Sequence, residues 1–104
     1  MKKFLLIVSL FASAHASADQ WVGPFTITNL YVSGSTNFHY RTMGMPTVSA
    51  CASAPTWAYV NEADPGAKGY IAALLMAFAA GKQVTLYVQP TNGYCHILEI
   101  NVTG

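Results

Sequence analysis

Charge is what this sequence has least of: Lys, Arg, Asp and Glu together supply 9% of its 104 residues. The first two lysines, Lys2 and Lys3, stand ahead of an apolar run over residues 4–14 that ends in Ala16, Ser17 and Ala18. Beyond that stretch only Arg41, Lys68 and Lys82 face Asp19, Glu62, Asp64 and Glu99, a net charge of −1. Three cations scattered singly form no cationic stripe, which excludes a reader of nucleic-acid backbone. Cysteine is scarce too, with Cys51 and Cys95 alone and no Cys-x-x-Cys, so a dithiol redox site is excluded. His39 and His96 are the histidines that follow the leader, too few to make a metal set of three or four ligands at recognisable spacing. No Gly-x-Ser-x-Gly places a nucleophile; Ser49 or Ser53 with His96 and Glu99 lacks any motif that would assemble it. The expectation is a protein that is not an enzyme and holds no cofactor and no metal.

No apolar run reaches the roughly 20 residues of a membrane-spanning helix. The charged, greasy and small-residue order of the N-terminus is instead that of a cleavable secretory signal, with cleavage expected after Ala18. Residues 1–18 are read as the signal and residues 19–104 as one domain, secreted or periplasmic, without a membrane span. Export to an oxidising compartment predicts a Cys51–Cys95 disulfide. Closing a loop of that length stabilises a folded chain by about 4 kcal/mol in the chain-entropy model, which matters for a domain this small.

The exported part is rich in β-branched and aromatic residues, and its punctuation predicts short strands. Residues 21–32 read as strands broken at Gly23-Pro24, the polar cluster 33–37 as a turn, and residues 38–43 as the return strand of a hairpin. Residues 47–52 and 57–60 each suit a short strand, with Trp57 assigned to the core. Val84, Leu86 and Val88 alternate with polar neighbours, and a second alternating run over 94–102 follows the turn at Pro90, Thr91, Asn92 and Gly93. In that second run Leu98, Ile100 and Val102 share one face and Cys95, Ile97, Glu99 and Asn101 the other. The expected fold is mostly β with one helix: a small, closed or nearly closed barrel capped by the helix.

That helix is expected from Pro65 or Gly66 to Ala80, with Asp64 as N-cap and Gly81 closing it. Ile71, Leu74, Leu75 and Phe78 form the stripe expected to pack on the sheet. The opposite side, Ala72, Ala73, Met76, Ala77 and Ala80, is equally uncharged. A domain of this size cannot bury both sides of a helix, so either a second copy of the chain covers that face or Trp57, the 61–66 loop or the N-terminal segment folds over it.

The order Val48-Ser49-Ala50-Cys51-Ala52, then Trp57, then the helix, then Gly81-Lys82-Gln83-Val84-Thr85-Leu86-Tyr87-Val88-Gln89 resembles the B subunits of subtilase cytotoxin and typhoid toxin. Leu30-Tyr31-Val32 ahead of a polar loop and Phe38 fits the same pattern. The resemblance implies an OB-fold-like barrel, of the oligonucleotide/oligosaccharide-binding type, a homopentameric ring with helices lining its centre, recognition of cell-surface glycans, commonly sialylated, and a catalytic A subunit as partner. It also implies that the loop of Ser33, Ser35, Thr36 and Asn37 contacts the sugar; by composition alone the same residues simply make a turn. The chain departs from the family at His39, where a cysteine is expected, and in the shortness of that loop. Tyr31, Tyr40, Trp57, Tyr59 and Tyr87 could stack on a sugar ring or serve as cross-strand pairs. The other function class left open is an exported structural or interaction protein that binds no sugar. Asn101-Val102-Thr103 is formally a glycosylation sequon.

Overall fold

The computed structural model of the protein describes residues 18–104; the leader, apart from Ala18, lies outside the described residues. The chain runs β1 (Gln20–Thr26), β2 (Leu30–Val32), β3 (Tyr40–Met43), β4 (Trp57–Val60), α1 (Ala67–Ala80), β5 (Gln83–Thr91) and β6 (Tyr94–Thr103). The fold is mostly β with one helix, as the strand punctuation implies. All six strands belong to one sheet in the order β1-β5-β6-β4-β3-β2, antiparallel except where β4 meets β6. The barrel is not closed: β1 and β2 end the sheet, and no ladder joins them.

The β5–β6 hairpin is the longest pairing and turns at Asn92-Gly93, both left-handed, at φ 53° and 84°. That geometry matches the twist of the strands it joins, and an added Cβ on Gly93 would fall on Ser53 Oγ. Val84, Leu86 and Val88 of β5 are buried, as their alternation predicts. On β6, Cys95 and Ile97 are buried, yet Ile100 and Val102 of the opposite alternation also pack on the core. A bulge reconciles them: Tyr87 pairs with Glu99 but Val88 with Ile97, so Leu98 is extra and the strand changes face there.

Several elements differ from the sequence reading: Pro90 and Thr91, expected in the turn, end β5 paired with Cys95 and Tyr94, and Phe38 and His39 lie ahead of β3. Residues 47–52 form successive tight turns, Cys51 N–H to the Val48 carbonyl and Ala54 N–H to that of Cys51, both 3.0 Å. Val48 and Cys51 are the buried pair there, and their spacing of three suits turns and not the period of a strand. The Cys51–Cys95 disulfide joins this segment to β6, with Cα atoms 5.5 Å apart.

The helix begins at Ala67 after Gly66, and no side chain caps it; Asp64 is not the N-cap, because its carboxylate is committed elsewhere. Gly81 closes it in the left-handed conformation, and the Lys82 N–H returns to the Ala77 carbonyl at 2.9 Å. The inward stripe is Ala67, Tyr70, Leu74 and Ala77, and the Tyr70 hydroxyl donates to the Leu98 carbonyl at 2.5 Å, which fixes the helix rotation. Leu75 and Phe78, expected inward, are 48% and 44% exposed, and Ala77, expected outward, is buried in the chain's own core. The physical reason is that a helix apolar on every side carries no phase in its sequence. The contact with the sheet sets the rotation, taking Leu74 and Tyr70 inward with Ala67 and Ala77 and leaving Leu75, Met76 and Phe78 outside.

Candidate functional site

The sheet has a second face, opposite the core, and the strand registers line up one row across it. Tyr31 of β2 pairs with Arg41 of β3, Arg41 with Tyr59 of β4, Tyr59 with His96 of β6, and His96 with Gln89 of β5. Alternation puts these side chains together, since Thr42, Ala58, Val60 and Cys95 beside them are buried on the core side. The Arg41 guanidinium lies over the Tyr31 ring at 4.7 Å from its centroid and 5.8 Å from that of Trp57. Its Nε is buried without a hydrogen-bond partner, and among the described residues no carboxylate pairs with it. A cation held by ring faces and left without an anion is a place for an acceptor from outside.

Phe38 closes the middle of this face. It is left-handed at φ 57°, unusual for a bulky residue, and its ring meets Trp57, Tyr59 and Tyr94 at centroid distances of 5.7, 4.6 and 4.9 Å. Its N–H donates to Asn61 Oδ1 at 2.8 Å, while the Asn61 N–H donates to Asp64 Oδ2 at 2.8 Å. Asp64 Oδ2 also meets His96 Nε2 at 2.6 Å, and the His96 ring stacks on Tyr59 with centroids 4.8 Å apart. Burial raises the Tyr59 phenol above its ordinary 10.0; a hydrogen bond with Thr91 opposes this and the Asp64 charge adds to it. Tyr59 therefore stays neutral in the folded chain at physiological pH.

Ser33, Ser35, Thr36 and Asn37 lie on the loop between β2 and β3, at the rim of this face. The loop is ordered by its own bonds: the Ser33 N–H reaches the His39 carbonyl at 2.7 Å and the Ser35 N–H reaches Ser33 Oγ at 3.1 Å. Ser35 Oγ donates to the Asn37 carbonyl at 2.5 Å, and the Glu62 N–H to the Thr36 carbonyl at 3.3 Å. Thr36 and Asn37 point no side-chain bond at other described residues. No family model matches this chain, nor does any curated protein or solved structure.

Of the aromatic candidates, Tyr31, Trp57 and Tyr59 join the site. Trp57 is half-buried on the outer face and not in the core, because it alternates with Ala58 and Val60. Tyr40 packs against the core instead, and Tyr87 pairs with Trp21 at 5.0 Å, far along the sheet on β5 and β1. Arg41, Phe38 and Asn61 escaped the sequence reading. Arg41 had a signal in being the lone cation on an aromatic hairpin, but its partners depend on register between strands. Among the described residues no three His, Cys, Asp or Glu side chains gather as a metal set, and no helix is long and apolar enough to cross a membrane.

Proposed function

We propose that the protein is an exported glycan-binding module whose sugar site is the rim formed by Ser33, Ser35, Thr36 and Asn37 with Tyr31 and Arg41. The observation that carries this reading is Arg41, a guanidinium seated on two aromatic rings with no carboxylate partner among the described residues. An acidic sugar supplies what is missing: a carboxylate for the guanidinium, an apolar ring face for Tyr31, and hydroxyls for the loop. Sialylated cell-surface glycans have that chemistry. The resemblance to toxin B subunits supports the same substrate class and adds assembly as a homopentamer. The exposed Leu75, Met76 and Phe78 on α1, a helix with no charge after Lys68, give self-association a physical motive. No residue of the chain speaks for a catalytic A subunit, so that partner rests on the resemblance alone.

A glycan array on the purified protein tests the reading. Hits among acidic glycans are expected, weakened about tenfold or more by Arg41→Gln, the size of one lost charge-assisted bond. Thr36→Ala is expected to weaken them as well. The second reading, an exported structural or interaction protein without sugar binding, is favoured by the loop's self-containment: Ser33 and Ser35 already satisfy one another and the loop backbone. An array without hits favours it.

A further inference from the structure

β4 runs beside β6 for only two pairs, Ala58 with Cys95 and Tyr59 with His96, and then the strands part. A cavity of about 180 Å³ opens near the point of divergence, lined by Asp64, Pro65, Tyr70, His96, Ile97 and Leu98. It holds about six water-sized volumes, too little for a whole ligand and enough for one substituent. Most of its wall is apolar: Pro65, Ile97, Leu98 and the ring of Tyr70, whose hydroxyl is committed to the Leu98 carbonyl.

The polar end is Asp64. Both donors it receives, the Asn61 N–H and His96 Nε2, converge on Oδ2, which leaves Oδ1 without a donor among the described residues. A ligand group that fits must donate one hydrogen bond and carry a small apolar body. A neutral amide N–H supplies that one donor beside a small methyl, whereas an ammonium brings three donors to a single open acceptor. A polyol would leave most of its hydroxyls facing carbon.

We propose that this cavity is a subsite for the N-acetyl group of an amino sugar, with the amide N–H donating to Asp64 Oδ1 and the methyl against Ile97, Leu98 and Tyr70. It rests on the glycan-binding reading but uses different residues. The two places are neighbours: the 61–64 turn holds Asp64 on the cavity side and binds Thr36 and Phe38 of the sugar loop on the other. One oligosaccharide can therefore touch both.

The test is a titration of the isotope-labelled mature protein, followed by NMR, with methyl N-acetylglucosaminide, methyl glucoside and butylammonium. The expected result is saturable shifts of the Ile97 and Leu98 methyls with the N-acetyl sugar alone. Asp64→Asn should weaken them about tenfold or more. Leu98→Phe, which fills the cavity and leaves Asp64 bonded to Asn61 and His96, should abolish them. Equal shifts with methyl glucoside, tighter binding of butylammonium, no shifts at all, or shifts that survive Leu98→Phe would each overturn the subsite. Glycan-array hits that need Arg41 but ignore Asp64 and Leu98 would remove the subsite and leave the glycan reading standing. Cavity shifts with a blank array would do the reverse for the loop.

Discussion

Asn61 is the residue on which the loop between β2 and β3 hangs. Its side-chain oxygen accepts the Phe38 N–H at 2.8 Å, and Phe38 sits in a conformation that costs a bulky residue about 1–3 kcal/mol. Asn61→Ala removes that acceptor from a half-buried donor, so a loss of about 1–2 kcal/mol is expected, measured by urea denaturation. Faster amide exchange at Phe38 should accompany it; unchanged exchange would show that the loop is held by other contacts. Tyr59 makes a prediction about pH. Its phenol is raised by burial above the ordinary 10.0, so the folded chain keeps a proton that the unfolded chain gives up first. The stability this contributes is full below about pH 10 and falls as the pH rises further. A melting temperature that declines above pH 10 in the native protein, and declines less steeply in Tyr59→Phe, is the expected outcome.

At the scale of the element, the helix separates pattern from contact. Leu74 and Leu75 are neighbours of the same type in the same helix, and both were expected inward. The first is fully buried and the second is 48% exposed. Leu74→Ala should cost about 2–5 kcal/mol, as truncation in a close-packed core does, while Leu75→Ala should leave the stability of the isolated domain within about 0.5 kcal/mol. Thermal unfolding of the two variants checks this, and equal losses would mean that the helix is rotated from the position described. The bulge at Leu98 belongs to the same scale. It lets Cys95 and Ile97 on one side of it and Ile100 and Val102 on the other serve one core, and the Tyr70 hydroxyl bonds at the carbonyl of the extra residue.

For the whole molecule, the question is what covers the outer side of α1. Met76 is 51% exposed in the single chain, next to Leu75 and Phe78. Assembly through that face predicts that Met76→Glu lowers the native mass while the β-sheet circular dichroism is kept, because the charge lands outside the core. Ala77→Glu cannot serve as that test: Ala77 is wholly buried against the sheet, and a charge there unfolds the chain whether or not it assembles. A wild type that runs as a monomer at micromolar concentration in native mass spectrometry would remove the ring. The disulfide acts on the same scale, tying the turns around Cys51 to β6 across a separation of 44 residues. Its reduction should lower stability by about 2–4 kcal/mol, visible as an earlier urea midpoint.

Much of the fold was legible in residue order because it depends on local physics. The period of two in Val84, Leu86 and Val88, the turn residues at Asn92-Gly93 and the stop at Gly81 are decided by backbone geometry that each residue carries with it. The disulfide was legible as two lone cysteines behind a leader that reads as a secretory signal. What the tertiary structure decided were the quantities that depend on pairing between distant segments. Register put Arg41 between Tyr31 and Tyr59, and a slip of one residue would have sent it into the core. The rotation of α1 was set by its contact with the sheet, because a helix without charge after Lys68 offers no polar stripe to mark its outside. Asp64, a plausible cap by its place in the sequence, was drawn instead to Asn61 and His96, since an imidazole 32 positions away supplied a partner that no local pattern announces.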